Sequence, residues 1–484
     1  MMQVSKSVAP RRLAVIYLGF MLAILLLTAH PGLAFTEKPS IDWPYPDEME
    51  FPPLEFTKVE PVRHVLSNGL TVYLLADRDL PLLQGAVYIK AGSIYDPPQQ
   101  TGLAALTARL VRAGGAGART AAEVDERLDF WAASVTVSEG KLLATASFSS
   151  LSEYAAEVLD LVTDLLAAPA FAGDLLEVER NRMLETIRRQ YDDPVEVAFR
   201  EFIKRSYAGH PFGAYSTTVS LNAITRSDIL DFYKAYYFPE NATMAVSGDF
   251  DTEEMIALLE KTIGRWKAKG VKPPELPPFS REPELKVYYV ERPLTQSVIC
   301  IGHPVVPTDH PDYPAIGILS GTFTDILFEE IRVRRGLAYA VGSGLTDSYR
   351  LPGIFYTYAI TRADATGQVI ELLLEAMGNI REVEAPAGRV NRVRDATVNR
   401  SVFRYTSAHE IAGRHAVDDL LDIPPGFFEE QLERIKALTP ANLLYYAFDY
   451  LHPEEVVIVV VGNASIFDRS LEEFGEVVVV EPEQ

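Results

Sequence analysis

Cysteine is almost absent from this sequence of 484 residues, which contains only one, Cys300. A single cysteine cannot form a disulfide within the chain, and the 48% hydrophobic content supplies ample material for an apolar core instead. Cys300 lies between Ile299 and Ile301 in "SVICIGH", a setting that predicts a small apolar residue in a buried strand. No reactive thiol is expected at this position.

Basic residues are too few to balance the acidic ones. The chain has 45 Lys and Arg against 67 Asp and Glu, which gives a net charge of −22. This excess of negative charge opposes binding to nucleic-acid phosphates and to anionic membrane surfaces, while it favours solubility and attracts basic peptides weakly. We therefore expect no nucleic-acid partner, and no membrane contact beyond an export signal.

Motifs that bind metals or phosphates are also scarce. The sequence has eight histidines, no Gly-rich phosphate loop and no Gly-x-Ser-x-Gly nucleophile motif. His409 and His415 in "HEIAGRH" are six positions apart, about 240° around a helix, whereas a zinc-binding pair needs positions i and i+4. His210 and His303 each precede proline, which is typical of loops. All four histidines are predicted to be structural.

The first 34 residues have the layout of a secretory signal peptide. Basic residues precede an uncharged run from Leu13 to Leu27, and Gly32 and Ala34 provide small residues at the −3 and −1 positions. The run is shorter than the roughly 20 residues that span a bilayer. We expect an exported, periplasmic protein, with a membrane anchor formed by an uncleaved N-terminal segment as the alternative. Removal of residues 1–34 changes the net charge from −22 to −25.

An internal repeat is the strongest sign of organisation. "AITRSDILDFYKAYYFPENATMAVSG", from Ala223 to Gly248, aligns without a gap with "ALTPANLLYYAFDYLHPEEVVIVVVG", from Ala437 to Gly462. Each segment predicts a helix that begins near a Thr cap, a turn at Pro-Glu and a buried strand that ends on Gly. The repeat indicates two homologous halves of the α+β class, each a mixed, largely antiparallel sheet covered by helices.

The chain is predicted to divide into five segments. These are a signal peptide at 1–34, an extended arm at 35–60, a first domain at 61–265, a Pro-rich linker at 266–285 and a second domain at 286–484.

Local patterns predict elements within the first domain. "HVLSNGLTVYLLADRD" indicates a β-hairpin around Ser67-Asn68-Gly69. Helical patterns cover 102–112, 120–132, 151–167 and 174–191.

The order and spacing of several segments resemble the M16 metallopeptidases, which are also called pitrilysin-like or mitochondrial-processing-peptidase-like. The matching segments are "NGLTVYLLAD", "GLAALTARLVRAGG", "RTAAEVDERLDFWAASVTV", "ERNRMLETIRRQYDDP", "HPFG", "LFEEIRVRRGLAYAVGSG" and both repeat endings. They extend over essentially the whole sequence after the signal peptide. The resemblance implies the LuxS/MPP-like metallohydrolase fold.

Active members of that family carry His-x-x-Glu-His on the helix after "GLA", and a second Glu further along completes the zinc site. Carried over to this chain, the zinc ligands fall on Ala105 and Arg109, the general base on Ala108 and the distal carboxylate on Thr186, next to Glu185. Alanine has no lone pair to offer, and arginine stays protonated. The resemblance therefore implies a degenerate zinc site and no cofactor in this chain.

The second half contains a pair that the resemblance connects with substrate. In "LFEEIRVRRGLAYAVGSG", Arg332 and Tyr339 are seven residues apart, as in family members that divide the active site between two chains. There, the Arg and the Tyr hold the peptide from the half that binds no metal. The structural alternative makes Arg332 a solvated helix residue and Tyr339 a core aromatic. Arg334 and Arg335 are expected to be surface charges, and Gly336 to serve the backbone at the helix end.

Two functions follow from the resemblance. In the first, the chain is the zinc-free subunit of an exported heteromeric peptidase, and Arg332 and Tyr339 act on a peptide or unfolded protein in the active site of a zinc-containing partner chain. In the second, it is a structural or peptide-binding protein on the same fold with no proteolytic role. The chain is not expected to be a peptidase by itself.

Overall fold

The computed structural model describes Met49 and residues 59–270, 275, 277–280 and 285–481. The chain divides into two units at Glu55, and every element below belongs to the unit Phe56–Gln484. The predicted signal peptide and nearly all of the predicted arm lie outside the described residues, and the linker is described only in part. The predicted segment boundaries stay predictions.

The first half contains a six-stranded sheet. Its strands are β1 (Val62–Val65), β2 (Thr71–Ala76), β3 (Leu82–Ile89), β4 (Ser134–Glu139), β5 (Ala144–Leu151) and β6 (Ala242–Gly248). They lie in the order β1-β2-β6-β3-β5-β4; β2 and β6 pair in parallel, and the other neighbours pair antiparallel. The predicted hairpin joins β1 to β2, and its turn places Gly69 at a φ of 87°, which glycine adopts readily.

The second half repeats this sheet. Its strands are β7 (Lys286–Glu291), β8 (Gln296–Pro304), β9 (Ala338–Leu345), β10 (Ile354–Arg362), β11 (Val457–Gly462) and β12 (Glu476–Val479). They lie in the order β12-β7-β11-β8-β10-β9. The run β7-β11-β8-β10-β9 has the same order and pairing as β2-β6-β3-β5-β4, because β7 and β11 are again the parallel pair. Two homologous α+β halves are therefore confirmed.

Helices cover both sheets. In the first half they are α1 (Leu103–Ala113), α2 (Ala121–Phe130), α3 (Ala155–Ala167), α4 (Gly173–Gln190), α5 (Pro194–Ser206), α6 (Thr218–Ala223), α7 (Arg226–Tyr236) and α8 (Thr252–Lys261). The four predicted helices are all present. The helix predicted at 151–167 begins later, because β5 extends to Leu151 and a 3-10 turn follows at Ser152–Tyr154.

The helices of the second half are α9 (Tyr313–Leu327), α10 (Thr366–Glu382), α11 (Ala387–Ser401), α12 (Ala408–Leu420), α13 (Phe427–Lys436) and α14 (Pro440–Tyr450). The two repeat segments form the pairs α7–β6 and α14–β11. Both helices begin as predicted, since Thr225 and Thr439 each accept a hydrogen bond from a backbone N–H of the first turn. No helix in the described part of the chain is long and apolar enough to cross a membrane.

The two halves exchange one helix each. Helix α5, from the first half, packs on β8 and β11, while α12, from the second half, packs on β2, β3 and β6. The Thr243 hydroxyl on β6 donates to the Ala416 carbonyl on α12 at 2.7 Å. Gly413 allows the close approach of α12, because a Cβ at that position would lie 2.8 Å from the Tyr88 phenol oxygen. Each sheet therefore relies on the other half for part of its cover.

Two residues singled out from the sequence occupy strand β8. Cys300 is fully buried there, as predicted, and burial raises the pKa of its thiol. His303 also lies in β8 and is buried, so its assignment to a loop is wrong; β8 continues to Pro304 at its end. His210 does lie in a loop, where its ring accepts a hydrogen bond from the backbone N–H of Phe212.

Candidate functional site

Helix α1 is anchored into the first half along most of its surface. Leu103, Leu106 and Leu110 are buried in the core. At the N-terminus, the Asp96 carboxyl accepts hydrogen bonds from the backbone N–H groups of Gly102 (2.7 Å) and Ala104 (2.8 Å), which have no partner within the helix. Burial raises the pKa of Asp96 to about 7, although both hydrogen bonds oppose this rise.

The four positions that correspond to a zinc site do not supply zinc ligands. Ala105 and Ala108 are buried methyl groups. Arg109 carries a positive charge into the place of a ligand, and its Nη1 lies 3.5 Å from Glu179 Oε2. Thr186 is exposed on α4 and donates its hydroxyl to the Arg182 carbonyl at 3.0 Å. This set of groups does not fit a zinc ion.

Other carboxylates do not replace the missing ligands. Glu185 pairs with Arg189 at 3.0 Å on the exposed face of α4. His409 and His415 lie on α12, and the His415 ring stacks against Tyr73. Across the described ranges, no group of three or more His, Cys, Asp and Glu side chains is placed to hold a metal ion.

Sequence reasoning missed Glu179, the carboxylate that Arg109 contacts. Its side chain is almost completely buried on α4, and Arg182 pairs with it as well. A signal was available, because Glu179 lies about two helical turns before Thr186 and so shares its face of the helix.

The second half places Arg332 and Tyr339 side by side. Arg332 belongs to a π-helical segment, Phe328–Arg334, that continues α9, and Tyr339 lies on the edge strand β9. The guanidinium carbon of Arg332 is 5.8 Å from the centre of the Tyr339 ring and 5.2 Å from that of Phe328. Tyr339 is 73% exposed, so it is not a core aromatic. π-Helical segments occur frequently at functional sites.

Neighbouring charges leave Arg332 available. Arg334 pairs with Glu329 and Glu330 at 3.2 Å, and Arg335 pairs with Glu330 at 2.7 Å, as expected of surface charges. Arg332 has no carboxylate partner among the residues that the structure describes. Within the described ranges, its N–H donors are therefore available to an added ligand, and the exposed Tyr339 side chain lies beside them.

Gly336 closes the helix that carries Arg332. Its φ is 64°, and its backbone N–H donates to the Arg332 carbonyl at 3.2 Å. The Leu337 N–H donates to the Ile331 carbonyl at 3.0 Å. This left-handed glycine ends the helix and directs the chain into β9, as predicted for Gly336.

The sites of the two halves are built from corresponding elements. Helix α1 lies between β3 and β4 in the chain, α9 lies between β8 and β9, and each helix packs near the edge strand that follows it. Helices α1 and α9 therefore have comparable places in the repeated architecture; Arg109 lies on α1 itself, and Arg332 lies on the segment that continues α9. The first site contains a buried carboxylate, whereas the second contains two exposed aromatic rings.

Comparisons with known proteins agree with this architecture. The family model described as "Insulinase (Peptidase family M16)" matches residues 81–216, and the one described as "Peptidase M16 inactive domain" matches residues 223–397. An uncharacterized zinc protease of Bacillus subtilis, YmxG, is 23% identical over 366 residues, which cover 74% of this chain and 88% of that protein. An uncharacterized zinc protease of Mycobacterium leprae is 28% identical over 232 residues, 46% of this chain and 52% of that protein.

Solved structures share the fold at low sequence identity. The peptidase M16 inactive domain from Pseudomonas fluorescens has a TM-score of 0.75 at 22% identity, and covers 84% of this chain and 99% of its own. A protease from Helicobacter pylori has a TM-score of 0.75 at 17% identity, with 83% and 99% covered. A chain in the structure of Complex III2 from Candida albicans has a TM-score of 0.68 at 17% identity, with 83% and 95% covered.

Proposed function

The chain belongs to the M16 peptidase family, and on this basis we propose that it is the zinc-free subunit of an exported, heteromeric M16-type peptidase. A separate chain carries the zinc ion and hydrolyses the peptide bond, while this chain supplies Arg332 and Tyr339 to the same active site. The substrate is a peptide or an unfolded protein. One contrast carries the proposal: α1 offers no zinc ligands, whereas the second half presents an exposed guanidinium beside an exposed phenol.

Each side chain suits one step of peptide hydrolysis. The Arg332 guanidinium can hold a peptide carbonyl or carboxylate through its planar set of N–H donors. The Tyr339 hydroxyl can donate a hydrogen bond to the negative oxygen that develops on the scissile carbonyl. Both roles need donors that reach out of the chain, and the exposure of Tyr339 on an edge strand supports this assignment.

Export is part of the proposal and rests on the composition of residues 1–34. A cleaved signal peptide delivers the protein to the periplasm, while an uncleaved one anchors it to the membrane. Sequencing the N-terminus of the protein isolated from its native host distinguishes the two, because cleavage after Ala34 leaves Phe35 as the first residue.

Co-purification tests the proposal directly. The tagged chain is isolated from its native host, and its companions are identified by mass spectrometry. We expect a partner with an intact His-x-x-Glu-His helix and bound zinc. Hydrolysis of unfolded casein is then measured for each chain alone and for the mixture, and both chains should be required. Stoichiometric zinc and peptidase activity in this chain alone would contradict the proposal, as would a partner whose activity is the same without it.

The alternative is a structural or peptide-binding M16-like protein with no proteolytic role. This alternative is equally compatible with the residues at the four zinc-site positions, Ala105, Ala108, Arg109 and Thr186. The same fold occurs in a chain of the Candida albicans Complex III2 structure. The adjacent reading frame in the genome discriminates between the two functions. An exported neighbour with His-x-x-Glu-His favours the peptidase subunit, and its absence favours the alternative.

A further inference from the structure

A second charged site lies on the first half, where α1 and α4 face the edge strand β4. A cavity of about 510 Å³ there is lined by three arginines, Arg109, Arg112 and Arg182, and by two carboxylates, Asp125 and Glu179. Guanidinium groups outnumber carboxylates in this cavity, although the whole chain has a net charge of −22. The charged residues that line the cavity thus sum to a positive charge, opposite in sign to the net charge of the molecule.

Arg109 and Arg182 share a single carboxylate. Arg109 Nη1 lies 3.5 Å from Glu179 Oε2, and Arg182 Nη1 donates to the other oxygen, Glu179 Oε1. The Glu179 side chain is 5% exposed, whereas those of Arg109 and Arg182 are 44% and 66% exposed. A guanidinium has more N–H donors than one carboxylate oxygen can accept. Glu179 therefore holds two guanidinium groups beside the cavity, and most of their N–H donors have no partner among the residues that the structure describes.

The third arginine is already committed to the protein. Arg112 Nε donates to the Val135 carbonyl on β4 at 2.7 Å, and Arg112 Nη2 donates to Asp125 Oδ1 at 2.8 Å. Glu139, at the end of β4, interacts electrostatically with Arg109 beyond ion-pair distance. Arg112 thus forms part of the wall, and Arg109 and Arg182 are the groups available to a ligand.

We propose that Arg109 and Arg182 form a binding site for a carboxylate at this cavity. The planar guanidinium matches a carboxylate with two parallel hydrogen bonds, and such charge-assisted bonds are roughly twice as strong as neutral ones. The carboxylate belongs either to the C-terminus of a peptide or to an Asp or Glu side chain. The position aligned with a zinc ligand, Arg109, thereby takes an anion in place of a cation. The site lies within this chain, so the proposal does not depend on a peptidase partner.

Calorimetric titration of the full chain tests the site with three peptides. The first is acetyl-Ser-Ala-Gly-Ser-Ala-Gly with a free C-terminal carboxylate. The second is the same peptide as a C-terminal amide, and the third is that amide with Glu in place of the fourth residue. We expect one or both carboxylate-bearing peptides to bind at low salt, and the neutral amide not to bind. The two carboxylate peptides identify which source the site prefers.

Variants assign the binding to this cavity. Arg109→Gln and Arg182→Gln should each weaken the binding of the carboxylate peptide by roughly tenfold or more, as expected for a lost charge-assisted hydrogen bond. Arg189→Gln is the matched control, because it removes the same charge from the exposed face of α4, where Arg189 pairs with Glu185. Glu179→Gln removes the competing carboxylate and should strengthen binding.

The outcomes separate a ligand site from a structural ion pair. If Arg109 only neutralises Glu179, the carboxylate peptides bind no better than the neutral amide, and the proposal fails. Equal binding to the wild type, Arg109→Gln and Arg182→Gln also overturns it. Circular dichroism confirms the folding of each variant, and Arg182, the more exposed of the two, provides a test that does not depend on the folding of Arg109→Gln.

Discussion

Arg109 on α1 and Arg332 on the segment that continues α9 have different neighbours, which give the two arginines different chemistry. Arg109 contacts a buried carboxylate, whereas Arg332 lies against two aromatic rings, Phe328 and Tyr339. A guanidinium beside aromatic faces keeps its N–H donors at the ring edges, where a ligand can reach them. Arginine therefore forms an ion pair in the first half, whereas in the second half it lies on an open surface beside two aromatic rings.

Tyr339→Phe is the sharpest test of the proposed catalytic role. In the complex with the zinc-containing partner, we expect the variant to assemble normally and turnover to fall by roughly a hundredfold or more, the usual effect of a lost oxyanion donor. Steady-state peptidase kinetics and size-exclusion chromatography measure the two effects. Tyr445→Phe, which changes another exposed tyrosine, should leave turnover unchanged. Unchanged turnover in Tyr339→Phe would remove this hydroxyl from the mechanism.

Ala108→Glu restores the residue type of the general base but not its environment. Ala108 is buried in the core, so a glutamate there has to displace packed side chains and to place an unpaired charge in an apolar setting. We expect the free energy of unfolding to fall by about 3 kcal/mol or more, measured by urea denaturation. Ala122→Glu, on the exposed face of α2, should change it by less than about 0.5 kcal/mol. Equal effects of the two substitutions would show that α1 tolerates a carboxylate at this position.

At the scale of elements, α1 depends on a buried acid at its N-terminus. Asp96 accepts two backbone hydrogen bonds there, and burial raises its pKa to about 7. The unfolded chain has the ordinary pKa of Asp, about 3.9, so between these values the folded state binds more protons than the unfolded state. The contribution of Asp96 to stability therefore falls as the pH rises from about 4 to about 7.

Asp96→Asn tests this pH dependence, since asparagine does not titrate. Relative to the variant, the wild type should lose up to about 1.4 kcal/mol of unfolding free energy per pH unit between pH 5 and pH 7. Urea denaturation at pH 5, 6 and 7 measures the difference. Asp129→Asn is the control, because Asp129 is exposed on α2. Its free energy of unfolding should change with pH in the same way as that of the wild type. If the free energy of unfolding of Asp96→Asn also followed that of the wild type between pH 5 and pH 7, Asp96 would titrate near its ordinary pKa.

At the scale of the whole molecule, the exchange of α5 and α12 joins the two halves. Without α12, the first sheet would expose part of one face, and without α5 the second sheet would do the same. The hydrophobic core of the first half also includes Cys300, Val459 and Val461 from the second sheet, so the two halves share part of one core. Neither half retains its complete core when the other unfolds.

A single unfolding transition is the expected consequence. In a Trp43→Phe variant, tryptophan fluorescence reports the unfolding of the first half, because the remaining Trp131 and Trp266 are buried there. The chemical reaction of the Cys300 thiol reports the unfolding of the second sheet. The thiol should react only on unfolding, because it is fully buried in β8. The urea midpoints of the two probes should coincide. Two separate midpoints would show that the halves unfold independently despite the exchanged helices.

Particular residues show how far sequence reasoning reached. The repeat predicted α7–β6 and α14–β11, since Thr caps and apolar periodicity act within a few residues of each other. The two isoleucine neighbours of Cys300 predict a buried strand, and Cys300 is buried in β8. The proline after His303 wrongly predicts a loop, because β8 continues through His303 and ends at that proline. Glu179 was missed, because its importance depends on Arg109 and Arg182, which come from two different helices.

The sequence by itself determined the two-half organisation and the absence of ligand atoms at Ala105, Ala108 and Arg109, because a side chain brings the same atoms into any fold. Only the tertiary structure decided which half covers which sheet, that Arg109 and Arg182 meet over Glu179, and that Tyr339 is exposed beside Arg332. These features depend on contacts between elements far apart in the chain. Such contacts follow from packing around a shared core, which no local pattern specifies.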